Sequence, residues 1–122
     1  MNIATRILTA LLAIIAFILG GHGAIEGLAV EAPSILDNEY RFFAGVWFGV
    51  GLGLAYCVLH LERTTLLFRA LMLTIFMGGI ARIIGLSEYA AEAQIIAPIA
   101  IELVAPILLV WMQSRSPHIT NL

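Results

Sequence analysis

The chain contains no lysine and a single cysteine, and charged residues make up only 11% of its 122 positions. So little charge excludes an ordinary water-soluble domain, in which about a quarter of residues are charged. Cys57 has no partner for an internal disulfide; inside an apolar run it reads as a small packing residue and says nothing of redox compartment. Six arginines against eight acidic residues leave a net charge of −2, too small to argue for nucleic acid or an acidic ligand. Catalytic signatures are missing as well: no HExxH, no second ExxH element, no cysteine cluster and no serine nucleophile elbow. Gly49, Gly51 and Gly53 lie within an apolar run, where a phosphate loop has no place. His22 with Glu26, and Glu88 with Glu92, have the spacing of one helix face, but hydrated surface positions explain them better than a metal. His60 and His118 fall at expected span ends, where water is the simplest partner. The expectation is a non-enzymatic protein without metal or cofactor.

What the sequence has in abundance is hydrophobicity: 61% of residues, with a mean hydropathy of +1.03. Four apolar runs, at residues 3–21, 42–60, 66–86 and 93–113, each approach the ~20 residues a membrane-spanning helix needs. Residues 1–19 resemble a secretory signal, with Arg6 ahead of an apolar core. No convincing small-x-small cleavage site follows, since His22 and Glu26 crowd Gly21, Gly23 and Ala24, so a retained helix is expected. Short connectors force antiparallel neighbours. The fold class expected is all-α, one domain forming a four-helix transmembrane bundle with antiparallel up-down topology.

Positively charged loops stay in the cytoplasm. Arg6, Arg63, Arg69 and Arg115 fall on one side of this arrangement and Arg41 and Arg82 on the other, so both termini are expected to be cytoplasmic. The expected setting is an inner (plasma) membrane. Tyr40 and Tyr89 then form an outer aromatic belt, and Trp111 with Tyr56 an inner one. The longest connector, residues 22–40, carries Pro33 and the acids Glu26, Glu31, Asp37 and Glu39. Ile25, Leu28 and Ala29 share one face of a short interfacial helix there, and Asp37 or Asn38 is placed to cap the second span.

Gly45, Gly49 and Gly53 repeat every fourth residue in the second span, a flat stripe along which another helix approaches closely. It serves packing within the chain or a homodimer through the second helix. Pro98 and Pro106 bracket Glu102 at i−4 and i+4. Each proline removes a backbone hydrogen bond and can kink the helix, and a carbonyl freed beside Glu102 could help build a polar pocket.

Glu102 lies about nine residues inside the fourth run, ~13 Å deep at 1.5 Å per residue, near the middle of a hydrocarbon layer ~30 Å thick. An acid at that depth needs a partner. Cα–Cβ bonds tilt toward a helix's N-terminus, so Arg82 in the third span leans toward the bilayer centre and Glu102 in the antiparallel fourth leans outward. Their depths differ by ~7 Å, a gap an extended arginine bridges. Arg69 leans toward the cytoplasm instead, to snorkel or bind lipid phosphate, and is expected to anchor the protein in lipid. Arg41 leans toward the outer headgroups, with a competing role in a polar network with Asp37, Glu39, Glu88 and Glu92.

Arg41 with Gly45 opening the second span, Gly78 and Gly79 followed by Arg82 in the third, and Glu102 in the fourth together resemble a bacterial family of small four-helix integral membrane proteins classed as a domain of unknown function. The resemblance runs over essentially the whole chain. Small multidrug resistance transporters are of similar size, but as a class they carry their essential carboxylate in the first helix, and this first helix has none in its apolar core. The expected function is binding of a lipid or small amphiphile, or support of a larger membrane complex, with Arg82, Glu102 and Arg41 shaping a polar pocket. A small proton-coupled transporter using Glu102 as carrier is the alternative. Membrane lipids are the expected partners.

Overall fold

The computed structural model describes residues 3–28, 31–86 and 93–115. Four helices make up almost all of it: α1 Ile3–Glu26, α2 Ser34–Leu59, α3 Thr65–Gly85 and α4 Ala93–Ser114, with one turn of 3-10 helix at Leu61–Arg63 between α2 and α3. Strands are absent among the described residues. All four helices are long and apolar enough to cross a membrane, as expected of 21 or more residues at ~1.5 Å each. The chain is a multi-pass membrane protein. Much of its surface is large apolar side chains, among them Ile18, Phe42, Leu59, Leu73, Ile84 and Val104, as befits helices solvated by lipid.

The third and fourth spans begin and end within a residue or so of the expected positions. The first connector does not. α1 continues to Glu26 and α2 begins at Ser34, so residues 22–26 and 34–41 extend the two helices rather than forming a loop. The expected interfacial helix is absent: Ile25 belongs to α1, Leu28 follows it in non-helical backbone, and Ala29 lies outside the described residues. Gly27 explains the stop. Its φ of 75° is the left-handed conformation that ends helices, and its N–H donates to the Gly23 carbonyl at 2.9 Å. Pro33, not Asp37 or Asn38, occupies the N-cap position of α2, and Asp37 sits in the first turn.

Contacts divide the chain into two compact units, Arg6–Leu61 and Met1–Thr5 with Glu62–Leu122. In the first, α1 and α2 run antiparallel at very close range. A Cβ on Gly20 would come within 2.5 Å of the Phe48 nitrogen and 2.7 Å of the Ala44 oxygen, and one on Gly51 within 3.2 Å of the Phe17 nitrogen. Ala44, Phe48 and Gly51 are spaced i, i+4, i+7, one helix face. Phe17 and Phe48 meet edge to face at 5.0 Å. The structure therefore places the close approach off the expected stripe: Cβ atoms on Gly45 or Gly49 would meet nothing within 4 Å, because those residues lie on another face of α2. Gly53 is half-buried, and Cys57 is fully buried as a packing residue.

In the second unit α3 and α4 are also antiparallel, and Phe68, Met72, Ile75, Ile99 and Leu109 are buried. Gly79 makes the close crossing, where a Cβ would lie 2.9 Å from Leu103 Cδ2 and 3.1 Å from Glu102 Cβ. Gly78 beside it faces open space. α4 is continuous through Pro98 and Pro106. The Glu102 carbonyl nevertheless lacks its usual i+4 donor, since residue 106 has no N–H.

Candidate functional site

The crossing at Gly79 brings α4 against α3 one turn before Arg82, which sits in the last turn of its helix. From there Arg82 Nε reaches 2.8 Å from Glu102 Oε1. The two partners are unequal: the Glu102 side chain is 8% exposed and that of Arg82 47%. The N–H of Nε is not aimed at Oε1, and this oxygen accepts no directed hydrogen bond among the described residues. The contact is an ion pair rather than a bidentate fork. The guanidinium is thus held by one edge against a buried carboxylate, while its terminal nitrogens make no hydrogen bond among the described residues. Such a group can receive an anion or strong acceptor without being pulled off its support.

Arg41 is occupied differently. Its Nε donates to Asp37 Oδ2 at 2.8 Å, and Nη1 donates to the carbonyls of Ala24 at 3.1 Å and Ile25 at 2.8 Å. Asp37 Oδ1 in turn accepts from the Leu28 N–H at 2.8 Å. The C-terminus of α1, with its exposed carbonyls and partial negative charge, is therefore capped by an arginine from α2. Of the acids expected around Arg41, Asp37 pairs with it, within the unit of α1 and α2. Arg6 makes a similar tie near the far end of the same hairpin, where Nη1 donates to the Val58 carbonyl of α2.

Arg69 does not simply snorkel. Its Nε donates to Gln113 Oε1 on α4 at 3.1 Å, so both arginines of α3 reach α4 although thirteen residues separate them. Side chains this long reach across from either flank of a helix. Sequence reasoning missed Gln113, yet a signal was present: an antiparallel register that sets 82 opposite 102 sets 69 opposite 115, within a turn of the amide. The hydroxyls of Thr5, Thr9 and Thr65 are also buried without a hydrogen-bond partner among the described residues, as is Gln113 Nε2. Glu88, Tyr89, Glu92 and His118 lie outside the described residues. Among the described residues no group of three or more His, Cys, Asp or Glu could hold a metal ion.

No curated protein and no solved structure matches the chain. A family model does, the domain of unknown function DUF4345, over residues 4–113. With all but the outermost residues of the four spans inside that match, the chain belongs to the DUF4345 family.

Proposed function

We propose that this protein is a non-enzymatic module of a bacterial inner membrane, with both termini in the cytoplasm, that binds a small anionic amphiphile at Arg82. The carrying observation is the half-held guanidinium: Nε rests on Glu102, which is buried, while the exposed outer edge is open to a ligand. Glu102 fixes the orientation of the arginine. An amphiphile suits the surroundings because its tail needs only the apolar helix surfaces and lipid. Native mass spectrometry of the whole chain with myristate tests this. Arg82→Gln should lower myristate retention several-fold and Arg82→Lys restore part of it; equal retention by wild type and Arg82→Gln refutes binding at this site.

A second reading is a small proton-coupled transporter with Glu102 as carrier. It is favoured by the buried Oε1, which accepts no directed hydrogen bond and lies within a spanning helix, where carboxylates serve proton pathways. This predicts pH-dependent flux in vesicles that Glu102→Gln abolishes while the helices remain folded. Flux that survives the substitution excludes Glu102. Self-association along the open face of Gly45 and Gly49 belongs to either reading, since small residues at that spacing admit a second helix.

A further inference from the structure

Toward the other end of the α3–α4 hairpin from Arg82 the two helices line an open apolar groove of about 470 Å³, within the ~300–1,000 Å³ usual for ligand sites. Leu73, Phe76, Ile107 and Trp111 form its walls, with Pro106 at its side. Arg69 lies at the groove, exposed to its surroundings.

The charge around that end is one-sided. Arg63 precedes α3, Arg69 lies in its second turn, and Arg115 follows α4; all three are exposed. Arg115 stacks over the Trp111 ring, its Cζ 5.2 Å from the centroid, which sets a cation beside the aromatic wall. Glu62 is the acid at this end among the described residues of the unit. Arg69 gives Nε to Gln113 Oε1, and its terminal nitrogens make no hydrogen bond among the described residues. Gln113 keeps a second polar atom, Nε2, fully buried and unpartnered.

We infer that this groove is a seat for an anionic phospholipid, with an acyl chain lying between Leu73, Phe76 and Ile107 and the phosphate on Arg69, supported by Arg115. A basic corner joined to an apolar recess between membrane helices matches that chemistry. A free phosphate would leave the apolar walls unused, and an uncharged lipid would leave the arginines unused. The site is distinct from the one proposed at Arg82 and does not depend on it.

Native mass spectrometry of the full chain, with phosphatidylglycerol and phosphatidylcholine of matched chains, tests the inference. Wild type should retain one phosphatidylglycerol in preference to phosphatidylcholine. Arg69→Gln should cut that preference about five-fold, the equivalent of ~1 kcal/mol per arginine, and Arg69→Lys should keep most of it. Ile107→Trp, which fills the groove, should lower retention of both lipids with helix content unchanged, and Arg82→Lys, which keeps a cation beside Glu102, should leave the preference intact. An unchanged preference in Arg69→Gln, unchanged retention in Ile107→Trp, or unsaturable binding typical of a lipid belt would overturn it. Loss of the preference in Arg82→Lys alone would move the lipid to the other site and overturn it equally.

Discussion

Arg82 Nε rests 2.8 Å from Glu102 Oε1, but the arginine side chain is half in the open while the carboxylate is buried. That asymmetry makes the two single substitutions unequal. Arg82→Gln strands a charge inside the hairpin, which costs ~3 to 5 kcal/mol. Glu102→Gln strands only an arginine that can turn outward, with a cost near the ~1 kcal/mol of exposed pairs. Unfolding in detergent should rank them in that order, with Arg82→Gln/Glu102→Gln recovering much of the larger loss. Equal costs would mean that both charges are equally buried.

The glycines divide in the same way. Gly20→Ala drives a methyl into the backbone of Phe48 and should destabilise by about 1 to 3 kcal/mol. Gly45→Ala and Gly49→Ala meet nothing and should be neutral or stabilising by up to ~1 kcal/mol through helix propensity. If the open face is a dimer contact, Gly49→Leu should lower the dimer fraction in crosslinking without changing the unfolding of the monomer. A dimer indifferent to Gly49→Leu would not use that face.

Arg41→Ala removes the cap on α1. Its charge-assisted bonds are partly exposed to water, so a cost of about 1 kcal/mol is expected. Hydrogen exchange should show faster opening at Gly27 and Leu28, whose N–H groups depend on the helix end and on Asp37. Unaltered protection at both amides would show that Gly27 and Asp37 hold the turn without Arg41.

Orientation cannot be read from the native thiol, because Cys57 is fully buried and escapes labelling from either side. A Cys57→Ala chain carrying Ser114→Cys or Glu31→Cys, both exposed positions, removes the ambiguity. With cytoplasmic termini, an impermeant thiol reagent outside intact cells should label Glu31→Cys and spare Ser114→Cys. The reverse pattern would invert the topology.

The sequence carries the second hairpin more fully than the first. Residues 66–86 and 93–113 are apolar runs with clean ends, and opposed helix directions aim Arg82 and Glu102 at each other before any packing is known. The first connector misleads because His22 and Glu26 read as the end of a helix; the helix runs through both, and the stop depends on the left-handed Gly27. The capping role of Arg41 is invisible until the end of α1 is fixed. Glycine spacing reveals a stripe but not which face meets a neighbour, so the contacts of Gly20 and Gly51 emerge only once α1 is laid against Ala44 and Phe48. Gln113 is an amide at the end of an apolar run, and only the register across the hairpin marks it as the partner of Arg69.

Recognition of negative charge by Arg82 is measured most directly by comparing myristate with tetradecanol, ligands of the same length that differ in the headgroup. Wild type should bind one myristate saturably and much more tightly than tetradecanol, and Arg82→Gln should bring the two together. Equal affinity of the wild-type chain for acid and alcohol would contradict a binding site at this arginine.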